Sequence, residues 1–136
     1  MRFMVAEADG TRGVYVIEGE KAFCISSVNP ELGPDLMPIV SGGEEAMEAV
    51  RQARSSASVV DVGSLTPALP IARPGKVICL GLNYADHAKE GGHEVPDYPA
   101  LFMRGATSLI PSGAPIIRPS CSERLDYEVE LMIVVG

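Results

Sequence analysis

Leu125-Asp126-Tyr127-Glu128-Val129-Glu130-Leu131 alternates apolar and acidic side chains, and Met132-Ile133-Val134-Val135 follows without a charge. On a strand, successive side chains point to opposite faces. Asp126, Glu128 and Glu130 would then share one face, with Leu125, Tyr127, Val129 and Leu131 on the other. The apolar run predicts a strand over 125–135 that enters an interior. Neighbouring carboxylates beside a buried strand repel each other and lose hydration. A hard cation that takes oxygen ligands, such as Mg²⁺, Mn²⁺ or Ca²⁺, would remove both costs. A half-exposed strand with a solvated acidic face has the same pattern, and the pattern alone leaves both open.

Working upstream, Pro115-Ile116-Ile117-Arg118-Pro119 reads as an edge segment, because proline cannot donate to a ladder. A turn is expected over 110–115 and a short strand over 100–104. Lys76-Val77-Ile78-Cys79-Leu80-Gly81 reads as a buried strand that ends in Leu82-Asn83-Tyr84. A helical turn is expected over 85–90, stopped by Gly91-Gly92. His87 and Glu90 are three apart and share a face of that turn. A carboxylate beside an imidazole fixes its tautomer and supports it as a general base for water. A surface ion pair on a polar helix is the other reading. The two glycines suit either a lid hinge or a plain helix cap.

The N-terminal region has a different texture. Short strands are expected over 3–6, 13–17 and 22–25, separated by Asp9-Gly10 and Glu18-Gly19-Glu20-Lys21. Residues 28–42 read as loop. Ser41-Gly42-Gly43-Glu44 fits a capping box, which predicts a helix over 44–54 with Ala46, Met47, Val50 and Ala53 facing the core. The boundary falls near Arg73-Pro74-Gly75, giving a small domain over 1–72 and a second region over 73–136.

Composition narrows the function classes. A net charge of −7 with no Lys/Arg cluster argues against nucleic acid or an anionic membrane as partner. No apolar run has transmembrane length, and the first residues lack a signal-peptide core, so a cytoplasmic location is expected. Cys24, Cys79 and Cys121 are widely spaced and read as reduced, mostly buried thiols.

Taken together, 78–90, Pro99-Ala100-Leu101-Phe102-Met103-Arg104, Ser112-Gly113-Ala114-Pro115-Ile116 and 125–131 resemble the fumarylacetoacetate hydrolase family in order and spacing. The resemblance covers about residues 73–136 and is looser before them. It implies an α+β fold: a small N-terminal α+β domain, then the first part of a β-rich catalytic domain. By position, Glu128 and Glu130 match two glutamates that hold a catalytic Mg²⁺ or Mn²⁺. His87 and Glu90 match the dyad that activates water. Asn83 and Tyr84 match strand-end residues beside the substrate. Asp126 sits where relatives vary and is not counted as a ligand. Arg104 stands where many relatives carry lysine, which keeps a cation for a substrate oxygen but changes its geometry.

The resemblance further implies hydrolysis of a C–C bond in a 1,3-dicarbonyl or 2-oxo acid, in catabolism of aromatic compounds or related acids. The alternatives are isomerisation or decarboxylation of a 2-oxo dienoate, or a fragment that catalyses nothing. The family's third metal ligand is an aspartate some tens of residues beyond the Glu-x-Glu strand. The chain is therefore expected to be an N-terminal portion, completed by a missing C-terminal half or working as a homo-oligomer.

Overall fold

The computed structural model describes residues 1–136, which divide into two compact units: 1–72 with 110–136, and 73–109. The architecture is mixed α+β.

In the first unit, β1 (Arg2–Ala8), β2 (Thr11–Glu18) and β3 (Lys21–Cys24) form an antiparallel meander. Asp9 and Gly10 both take positive φ, 49° and 74°, as a two-residue primed turn requires. Helix α1 (Met37–Ser56) follows, then β4 (Val59–Asp61) and β5 (Thr66–Pro67). The strand order is β4-β3-β2-β1-β5. Period-two alternation sorts the side chains. Val5, Val14 and Val16 join Ile25, Leu32, Ile39, Val50 and Ala53 in one core, while Ala6, Tyr15, Ala22 and Leu65 gather in another.

The helix departs from the sequence expectation. It begins at Met37 rather than 44, and Gly43 interrupts it with non-helical angles (φ 56°, ψ −139°). Ser41 forms no capping box; its hydroxyl donates back to the Met37 carbonyl at 2.6 Å. The start is held by Asp35, whose carboxylate accepts from Met37 N at 3.0 Å and from Ala72 N at 2.9 Å. Pro38 in the first turn is compatible with a helix start, so the proline-bearing stretch is not all loop.

In the second unit, β6 (Val77–Gly81) and β7 (Ala100–Arg104) pair antiparallel, with α2 (Ala85–Glu90) between them in sequence. The expectation of a buried strand over 76–81 fails here. Ile78 and Leu80 are exposed, because a two-stranded sheet has only one neighbour per strand and no layer covers this face.

The expected strand over 125–135 and the edge segment over 115–119 do not form. Residues 125–135 carry no secondary structure, and Tyr127 and Val129 are more than four-fifths exposed. A strand exists only where a neighbouring backbone pairs its N–H and C=O groups, and no segment of this chain does so. The turn before it is present: Ala114 N donates to Pro111 O at 3.1 Å, with Gly113 at φ 82°. The three cysteines are free, but Cys24 and Cys79 are half-buried and Cys121 is exposed, which corrects the expectation of buried thiols.

Candidate functional site

Helix α2 is one and a half turns long and ends in a Schellman arrangement. His93 N donates to Ala88 O at 2.8 Å and Gly92 N to Lys89 O at 3.0 Å, with Gly92 at φ 71°. Glycine is favoured there because a side chain would strain that backbone. The Gly91-Gly92 pair is thus a helix cap. Within α2 only Ala88 is buried; His87 and Glu90 are both exposed. The backbone carbonyl of His87 accepts from Gly91 N at 3.1 Å, so the cap secures the residue that carries the imidazole. Asp86 and Lys89 form a loose pair on the same helix, 3.9 Å apart and exposed, of little energetic weight.

Asn83 and Tyr84 lie between the end of β6 and the first turn of α2. Tyr84 is the residue before the helix, and its carbonyl accepts from Ala88 N at 3.0 Å. Gly81 pairs with Ala100, so this junction sits at one end of the small sheet. Beside it lies a groove of about 280 Å³ whose lining includes Leu80, Leu82, Asn83, Asp97 and Tyr98. Arg104 pairs with Val77 at the other end of the sheet. The register puts Arg104 roughly 13 Å along β7 from Ala100, at about 3.3 Å per residue. The unit therefore carries Asn83 and Tyr84 at the β6–α2 junction and His87 and Glu90 on the short helix that follows, and leaves Arg104 at the far end of the sheet. Asp97 was not singled out in the sequence; it lies in an irregular loop with no periodic or motif signal to mark it.

Glu128 and Glu130 belong to the first unit and are exposed, as is Asp126, which accepts from Tyr127 N at 2.9 Å. The donor set suits a hard divalent cation in kind, being carboxylate oxygens two residues apart. Its number does not close a site: nowhere does the chain gather three His, Cys, Asp or Glu side chains around one point.

Residues 76–136 match the family model described as fumarylacetoacetate (FAA) hydrolase C-terminal. Residues 76–136 are a segment of the fumarylacetoacetate hydrolase type. It is 34% identical over 113 residues to oxaloacetate tautomerase Fahd2a, mitochondrial, of Rattus norvegicus, covering 82% of this chain and 36% of that protein. It is 53% identical over 64 residues to protein MJ1656 of Methanocaldococcus jannaschii, covering 47% of this chain and 27% of that one. The fold resembles the crystal structure of an HpcE-type protein from Mycobacterium smegmatis, with a TM-score of 0.57 and 22% identity over 85% of this chain and 40% of that chain. The chain thus spans little more than a third of the tautomerase it matches. No helix is long and apolar enough to cross a membrane.

Proposed function

We propose that this chain supplies the base and two cation ligands of a fumarylacetoacetate hydrolase-type enzyme that acts on a 2-oxo acid or 1,3-diketone. The observation that carries the proposal is the junction of β6 and α2, where His87, Glu90, Asn83 and Tyr84 cluster within eight residues. Glu128 and Glu130 would hold Mg²⁺ or Mn²⁺, with Ca²⁺ as a further candidate. Bound there, the cation would polarise a substrate carbonyl oxygen as a Lewis acid.

His87, kept in one tautomer by Glu90, takes a proton. If the proton comes from the carbon beside the carbonyl, an enolate forms, and reprotonation on oxygen completes a tautomerisation or isomerisation. If it comes from water, the hydroxide adds to the carbonyl carbon, the C–C bond breaks, and the departing carbon takes up a proton. Asn83 and Tyr84 would hydrogen-bond substrate oxygens beside the base. Arg104 would meet a more distant oxygen, and its place at the far end of β7 makes it the first of these assignments to test.

Hydrolysis of a C–C bond is supported by the His–Glu pair in its resemblant position. Proton transfer has separate support, since several relatives over 30% identical carry the name oxaloacetate tautomerase. Catabolism of aromatic or related acids, a cytoplasmic site, a homo-oligomeric state or completion by further chain, and a boundary between 1–72 and 73–136 belong to the same proposal. Exposed Ile78, Leu80, Leu101 and Met103 are consistent with further covering surface.

The test is to assay the protein with Mg²⁺ on acylpyruvates, oxo-dienoates and the enol of oxaloacetate. Cleavage of the acylpyruvates supports the hydrolase; turnover of the enol or dienoates alone supports proton transfer and rejects hydrolysis. Turnover of none rejects both for this chain.

A further inference from the structure

Two residues without the freedom of glycine take positive φ, Asp9 at 49° and Leu82 at 53°. Asp9 is accounted for by its hairpin turn. Leu82 is not in a hairpin, and leucine has no side chain that bonds back to its own backbone as aspartate or asparagine does. A left-handed leucine persists only where its surroundings over-determine it, and such residues concentrate at functional sites. Here the constraint is visible. Gly81 is held in the ladder opposite Ala100, and the Tyr84 carbonyl already accepts the first helical hydrogen bond. Tyr84 is itself extended, at φ −104° and ψ 122°. Only Leu82 and Asn83 remain to turn the chain from β6 into α2. The sign of φ at Leu82 therefore sets the direction in which α2 leaves the sheet, and with it the direction of His87 and Glu90.

We propose that Leu82 is a positioning residue: its left-handed backbone, at the junction of β6 and α2, aims the helix that carries His87 and Glu90. Leu82 is half-buried and lines the groove together with Val95 and Tyr98. The inference deepens the proposed roles of His87 and Glu90 and rests on them for its meaning, but its test does not need turnover.

Three variants separate backbone from packing. Leu82→Asn and Leu82→Gly accept positive φ and lose the apolar side chain. Leu82→Ile keeps apolar volume, and its branched Cβ resists positive φ. The readouts are the His87 ring-proton NMR shifts and amide exchange at Ala88 and Gly91, with the amides of Val14 and Val16 reporting that the first unit is folded. The expectation is that Leu82→Ile moves the His87 shifts and loses about tenfold in protection at Ala88 and Gly91, while Leu82→Asn and Leu82→Gly stay within about twofold of the parent. The reverse order, with isoleucine preserved and the other two lost, would assign the effect to packing and overturn the proposal. Equal behaviour of all three, whether preserved or lost, overturns it too. If the backbone order is as expected and the parent turns over none of the substrates above, the proposed chemistry fails and the positioning stands.

Discussion

Arg54 grips Glu18 with two parallel hydrogen bonds, from Nε to Oε1 at 2.7 Å and from a terminal nitrogen to Oε2 at 2.5 Å. Its guanidinium also lies 4.3 Å from the centre of the Phe23 ring. One side chain near the end of α1 thereby ties that helix to β2 and β3. A planar fork suits both contacts, and an ammonium does not reproduce them. Arg54→Lys is therefore expected to lower the melting temperature almost as far as Arg54→Ala, measured by circular dichroism.

The same pair has a pH signature. The hydrogen bonds from Arg54 hold the Glu18 carboxyl below its ordinary range. A lowered carboxyl pKa in the folded state stabilises at pH above the unfolded value, and the stabilisation is lost as pH falls through the folded value. The stability gap between the parent and Glu18→Gln should be constant from neutral pH down to the ordinary carboxylate range and close below it. Denaturant titrations at several acid pH values would show it; a gap independent of pH would refute the assignment.

Tyr15 predicts the opposite end of the scale. It is 4% exposed, and burial, with Cys24 close by, pushes its pKa up from 10.0 to about 12. The folded state then disfavours the phenolate. Its contribution is whole below pH 10 and disappears as pH rises towards 12, a loss of roughly 2–3 kcal/mol. Tyr15→Phe should remove that part of the alkaline destabilisation, as read by urea unfolding from pH 9 to 12.

Gly43 tests the interruption of α1. Its φ and ψ lie where residues with a Cβ are strained. Gly43→Ala is expected to cost about 1–3 kcal/mol. In an unbroken helix the same change would stabilise by up to about 1 kcal/mol, so the sign alone decides. Ile25→Ala, in the fully buried core, should cost about 2–5 kcal/mol by equilibrium unfolding, whereas exposed Ile117→Ala should stay within about 0.5 kcal/mol.

What could be read from sequence follows from which interactions are local. The meander was legible because Asp9-Gly10 and Gly19 announce their turns and Val5, Val14 and Val16 alternate on cue. Helix α2 was legible because Gly91-Gly92 punctuates it. The start of α1 was not, since its anchor is Asp35 reaching Ala72, thirty-seven residues away. The strand over 125–135 failed for a related reason: alternation gives a segment the capacity to pair but cannot supply a neighbour. The pairs His87/Glu90 and Glu128/Glu130 were singled out from motif spacing, and their roles remain part of the proposed function. The left-handed turn at Leu82 was hidden, because no property of leucine signals positive φ. The separation of Arg104 from Asn83 was hidden as well, being a consequence of the β6–β7 register.

Under the proposed function, Glu128 and Glu130 hold a divalent cation. Calorimetric titration of Mn²⁺ into this chain and into its Glu128→Ala variant tests it most directly. Binding to the parent that weakens by about tenfold or more in the variant is the predicted result, as expected when a carboxylate is taken from a cation of this class. Equal affinity in the two proteins, or no binding by either, would contradict it.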